Sequence, residues 1–279
     1  MCVVPRVTKK ISTDEQVLGV TSVDDELFVL LDRDVNPVAV YSINDYQLLR
    51  RLSVPGLDSY DNDITSCVRH KCLYMSDFHN SCIHRYDLSS KFSAVRKLLA
   101  RSHISRWPVP SSPGGLSVTP SCNLLVTCQG EPSKLVELSA DSGQCVREIT
   151  LQSDIVRPWH SVELTTGQYV VCHGDWVHDN HHRVCLVGDD GKVTRSYGNR
   201  LGSNVGQLNW PRHLAVDKDS QFIFVVDWGN DRVVLLSPTL EFLRHVVEEL
   251  SWPRRLYLHQ ATQRLFVGHS HDDVAVIQL

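Results

Sequence analysis

The chain has 279 residues, of which 42% are apolar and 22% charged, with a formal net charge of −4. That composition suits a globular chain with a large core, and it argues against a polyanion binder that uses its whole surface, which would be basic. No apolar run approaches the roughly 18 residues of a membrane span, and the start, MCVVPRVTKK, has neither the apolar core nor the cleavage site of a secretory signal.

From the N-terminus, the first strand-like segment is Pro5–Ile11, which is polar. An apolar strand signature follows at Leu27-Phe28-Val29. It recurs at Leu73-Tyr74-Met75, Leu124-Leu125-Val126, Tyr169-Val170-Val171, Ile223-Phe224-Val225 and Leu265-Phe266-Val267, spaced 46, 51, 45, 54 and 42 residues apart. A second signature trails each one: Val38–Tyr41, Cys82–Arg85, Leu135–Leu138, Arg183–Leu186, Val233–Leu236 and Val274–Ile277. More polar outer strands are expected at Gln47–Val54, Ala94–Ala100, Gln144–Leu151, Val193–Gly198 and Glu241–Val247, as edge strands should be. The clearest unit is Leu208–Leu236: Trp210-Pro211 opens it, and polar turns separate three short β-rich runs.

A period in the forties with four strands per unit predicts a propeller blade. The expected fold is all-β: a six-bladed β-propeller of four-stranded antiparallel blades, with residues 1–279 forming a single domain. The last unit lacks a fourth strand, and Pro5–Ile11 is predicted to supply it, closing the ring by pairing the N- and C-terminal segments.

The nine cysteines include no C-x-x-C pair, which excludes zinc-ribbon and RING spacings. Several sit in strand-like runs, and reduced thiols in the cytoplasm are expected.

At Gly206–Leu236 the pattern resembles the NHL repeat. The residues that carry it are Trp210-Pro211, Ala215-Val216-Asp217, Phe224-Val225-Val226-Asp227, Gly229-Asn230 and Arg232-Val233. It recurs in Trp252-Pro253-Arg254 with Leu265-Phe266-Val267, and in Asp77 with Asn80. The resemblance is to the C-terminal propellers of tripartite-motif ubiquitin ligases. It implies a non-catalytic recognition or scaffold module that binds protein, in some relatives RNA. The RING, B-box and coiled coil of the full ligase do not occur in this sequence, so ligase activity is not carried over.

Loops leading into the first strands should crowd the channel mouth. Candidate partner-binding residues there are Arg106 and Trp107; Arg157, Trp159 and His160; Trp210, Arg212 and His213; and Trp252, Arg254 and Arg255. Arginine offers a planar fork to an acid or phosphate, and tryptophan a stacking face. Around them Asp32, Asp34, Asp77, Asp175, Asp227, Asp231, Asp272 and Asp273 suggest an acidic rim. Asp227, Asn230 and Arg232 are expected to tie a turn together rather than bind a partner.

Of the fourteen histidines, His173, His178, His181 and His182 share one loop and His269 and His271 another. They read as surface histidines. Convergence on zinc in the channel, as in the peptidyl amidating lyases that share NHL-like repeats, is the alternative: a metal-dependent lyase or hydrolase. No catalytic residue, metal or cofactor is assigned. The expected partner is a protein or peptide, with single-stranded RNA the alternative, and neither DNA nor a membrane is expected.

Overall fold

The computed structural model describes residues 5–32, 36–58, 61–89, 104–174 and 181–279. These form six antiparallel four-stranded sheets. Blade one comprises β2 (Val17–Val23), β3 (Glu26–Leu31), β4 (Val38–Ser42) and β5 (Leu48–Leu52). Blade two has β6 (Ile64–Cys67), β7 (Cys72–Asp77), β8 (Cys82–Asp87) and β9 (Ile104–Pro108). Blade three has β10 (Ser112–Val118), β11 (Leu124–Gln129), β12 (Lys134–Leu138) and β13 (Cys145–Thr150). Blade four has β14 (Pro158–Glu163), β15 (Tyr169–His173), β16 (Arg183–Val187) and β17 (Val193–Gly198). Blade five has β18 (Pro211–Val216), β19 (Ile223–Asp227), β20 (Arg232–Leu236) and β21 (Phe242–Val247). Blade six joins β22 (Pro253–His259), β23 (Arg264–His269) and β24 (Asp273–Gln278) to β1 (Arg6–Ser12) from the other end of the chain.

The predicted closure is therefore present, with Arg6 opposite Gln278 and Ser12 opposite Asp273. The pattern of burial explains the strand signatures. Second and third strands lie between neighbouring blades and are covered on both faces, so β7, β15, β19 and β20 are buried throughout. Continuous apolar runs replace alternation wherever both faces are dry. Outer strands alternate or are mostly exposed, as in β1 and β13.

The core is a set of inter-blade seams rather than one centre. Val170, Val184 and Leu186 of blade four pack on Leu214, Val225 and Val234 of blade five. Phe266 and Val276 of blade six pack on Leu27, Val29 and Ala39 of blade one, so the last seam is sealed like the others. Among the described residues no helix is long and apolar enough to cross a membrane.

One strand differs from the sequence reading. The expected outer strand at Ala94–Ala100 lies outside the described residues. The outer strand of blade two is β9, in which Trp107 pairs with Ile83 and Pro108 with Cys82. Arg106 and Trp107 are therefore not on a loop at the channel mouth. Arg106-Trp107-Pro108 repeats the residue types of the true leading segments, but here the proline ends an outer edge strand, where its missing N–H is harmless.

Candidate functional site at the channel

The first strands of blades four, five and six start at a proline and then bulge. The register slips between Pro158 and His160, between Pro211 and His213, and between Pro253 and Arg255. The residue just before each proline, Arg157, Trp210 or Trp252, takes a positive φ of 45°, 59° or 55°. Bulges re-aim side chains at a rim. Here the bulge turns Trp159, Arg212 and Arg254 towards the mouth and sends the following residue into the channel.

That following residue builds one layer. His160 lies opposite Cys172, His213 opposite Val226 and Arg255 opposite Gly268. Asp63 takes the corresponding place in blade two, its carbonyl accepting from Ser76 N–H at 3.0 Å. Blades one and three contribute glycines. A Cβ on Gly19 would come 2.6 Å from Ile64, and one on Gly115 would collide with His160. The two missing side chains give the four polar ones room to meet.

Asp63 is the hub. Its Oδ2 accepts from Leu116 N–H at 2.9 Å and lies 3.3 Å from His213 Nε2 and 3.9 Å from His160 Nε2. Arg255 Nε is 3.5 Å from Oδ1. Burial alone would raise its pKa; the facing His213, Arg255 and His160 outweigh that and hold the carboxyl well below its ordinary range. His160 is pushed down to about 3 by burial, and His213 is also lowered by burial. His213 Nδ1 accepts from Leu256 N–H at 3.3 Å, which fixes it as a neutral ring donating to Asp63.

Above this layer Asp61 accepts from Arg254 and lies 3.4 Å from Arg212 Nη1. Both arginines are about 90% buried, at 9% exposure. The charge of the expected basic mouth is therefore partly offset from within by two aspartates the sequence reading did not select. Asp61-Asn62-Asp63 leads into the first strand of blade two as Trp210-Pro211-Arg212-His213 leads into that of blade five, with Asp63 at the position of His213, and aligning the six units would have exposed it.

The tryptophans form a stack along the same face. The Arg212 guanidinium sits 4.3 Å from the ring centre of Trp159, 5.6 Å from Trp210 and 5.1 Å from Trp228. Trp228 meets Trp252 edge-on at 4.7 Å, and Trp252 is 47% exposed. Arg157 is exposed, 5.9 Å over Trp159. Trp107 is instead buried beside Tyr74 at 5.6 Å in the seam between blades two and three, while exposed Arg106 donates to Gly56 O.

Other expectations need correction. Asp77 and Asp227 are fully buried and cannot form an acidic rim, and Asp34 and Asp175 lie outside the described residues. Asp227 ties its turn as expected, accepting from Asn209 N–H at 2.6 Å, Asn230 Nδ2 at 2.7 Å and Arg232 Nε at 2.8 Å. His173, His182 and His269 are buried rather than on the surface, and His178 lies outside the described residues. His173 and Arg183 repeat in blade four the places of Asp227 and Arg232, with Arg183 Nε donating to His173 Nε2 at 2.9 Å.

Among the described residues, two buried clusters have the donor types of a metal site: Asp63, His160 and His213, and Asp77, Cys82 and His84, with ligand atoms within 4.8 Å of one another in each. In the second, His84 Nε2 lies 3.0 Å from Asp77 Oδ2 and Asn80 Nδ2 donates to the same carboxylate, so the group also serves as a turn lock.

The ring can be compared with solved structures. The chain is similar in fold to virginiamycin B lyase. The Staphylococcus aureus enzyme superposes with a TM-score of 0.65 at 10% identity, over 99% of each chain. A streptogramin B lyase gives 0.63 at 10% identity over 98% of this chain and 97% of that one. Kuenenia stuttgartiensis hydrazine synthase gives 0.64 at 12% identity over 96% of this chain and 97% of that one. At such identities the likeness establishes the propeller and nothing about its chemistry. No protein-family model and no curated protein matches the chain, so the NHL resemblance rests on the residues quoted above.

Proposed function

We propose that the protein is a recognition module that holds a protein segment on its mouth face. The observation that carries this is the tryptophan stack. Trp252 presents a half-exposed ring on a base of Trp228, Arg212, Trp210 and Trp159 whose geometry is already fixed. A rigid aromatic anchor with little ordering cost is the usual centre of a protein contact. Arg212, Arg254 and Arg255 already face Asp61 and Asp63, which leaves them little capacity for a phosphate backbone and favours protein over single-stranded RNA.

The test is selection of peptides from a displayed library, followed by titration of the winners against the wild type and Trp252→Ala. A loss of about tenfold or more is expected for the variant, a hot-spot-sized effect. Unchanged affinity rejects the reading. So does tight binding of RNA pools with a steep salt slope, the mark of phosphate contacts.

The cluster of Asp63, His160 and His213 supports a second reading, a metal-dependent lyase or hydrolase acting in the channel. A cation there would have to share Asp63 with the Arg255 guanidinium at 3.5 Å. Elemental analysis of purified protein separates the two: one bound metal per chain, lost in Asp63→Asn, supports the catalyst.

A further inference from the structure

Beyond the ionic layer, towards the opposite face, the channel opens into a cavity of about 600 Å³. That volume is the size of a small-molecule site. We propose that this cavity binds a small amphipathic carboxylate: an apolar body with an N–H or O–H donor at its inner end and its acid group at the outer rim.

The inner end asks for a donor. His160 Nε2 lies 3.0 Å from the Leu116 carbonyl, so that nitrogen carries the ring proton. Nδ1 is then a bare lone pair, and it is buried without a partner. Ser117 lines the same cavity, is 8% exposed, and its Oγ also lacks a partner. Unsatisfied buried polar atoms are rare in folded proteins and mark places where another molecule completes the bonding.

The wall asks for an apolar body. Val20, Leu116, Leu214 and Leu256 face the cavity. Of the hydroxyls on that wall, Thr21 pairs with Ser66 at 2.7 Å and Ser22 with Tyr257 at 2.6 Å.

The rim asks for an anion. Arg69 and Lys218, on the first-to-second-strand turns of blades two and five, line the outer end and are exposed. Glu163, the cavity's carboxylate, is held by Arg147 at 3.5 Å. Arg69 and Lys218 outnumber it among the charged side chains of the lining, and a positive surplus raises the local concentration of an anion.

The experiment uses indole-3-acetate as probe, measured by calorimetry and ligand-observed NMR on the full chain. It is set against indole-3-acetamide, which keeps the donor and loses the charge; 1-methylindole-3-acetate, which keeps the charge and loses the donor; and tryptamine, which reverses the charge. Indole-3-acetate should bind at least about tenfold tighter than each of the others. It should also shield Cys122, a half-buried thiol on the cavity wall, from maleimide, while exposed Cys145 reacts as before. The double change Arg69→Ala and Lys218→Ala should weaken binding about tenfold with the thermal midpoint unchanged, because both are surface side chains.

The proposal is overturned if the amide or the amine binds as tightly, if saturation leaves Cys122 unprotected, or if indole-3-acetate fails to saturate the protein at about 1 mM, the outcome for a channel that holds only water. Trp252→Ala leaves this site intact, so failure here and failure of the mouth-face reading are separate results.

Discussion

The imidazole rings of His160 and His213 lie 3.8 Å apart, tilted by 32°, and both face the carboxylate of Asp63. These residues come from blades four, five and two, so the channel layer ties together parts of the ring that share no sheet. Removing the charge of Asp63 strands Arg255 in the interior, and breaking a buried pair from one side costs about 3–5 kcal/mol. Asp63→Asn should lower the urea midpoint accordingly with an unchanged slope, and Asp63→Asn with Arg255→Met should recover part of the loss. An unchanged midpoint in the single variant would remove the hub role.

Acid stability should depend on His173. Burial pushes its pKa down to about 3, and Arg183, which can only donate, needs it neutral. A histidine with a folded pKa below its unfolded one makes the unfolded state the better proton binder, so stability is lost as pH falls below the unfolded value. Between about pH 6.5 and about pH 5 this one group should cost about 1.5 kcal/mol. His173→Gln keeps an acceptor without the proton affinity, so its unfolding free energy should fall less over that interval. Equal pH slopes in both proteins would refute the assignment.

Asp227 and Arg232 form the same lock in blade five with opposite charges. Arg232 also donates to Ser203 O at 2.6 Å and Gln207 O at 3.2 Å, holding the segment that precedes β18. Asp227→Ala leaves that guanidinium buried beside empty space, and a loss of about 3–5 kcal/mol is expected by chemical denaturation. A loss below about 1 kcal/mol, the range of an exposed pair, would contradict the burial of this bridge.

Deleting residues 1–12 should open the ring. It removes β1 and buried Ile11 and leaves β24 as an unpaired edge. Open edges recruit other chains. The truncated protein should melt lower and associate in a concentration-dependent way by light scattering. A monodisperse monomer with the parent's midpoint would show that the closure contributes nothing.

Strand signatures, outer-strand polarity and the closing pair of termini were legible in the chain because each depends on neighbours a few residues away or on a repeat of the same unit. The turn lock of Asp227 with Arg232 was legible for the same reason: the partners are five residues apart. Trp-Pro-Arg was legible as a motif but not as a place, since Arg106-Trp107-Pro108 ends an outer strand while Trp210-Pro211-Arg212 begins an inner one. The pairing of the mouth arginines with Asp61 and Asp63 was decided only by tertiary structure. Arg212 and Asp61 are 151 residues apart, and His213 and Asp63 are 150 apart, meeting because the ring brings one end of every first strand to a common axis. Period and polarity specify each blade, whereas the charge on a neighbour across the channel is fixed only when all six close.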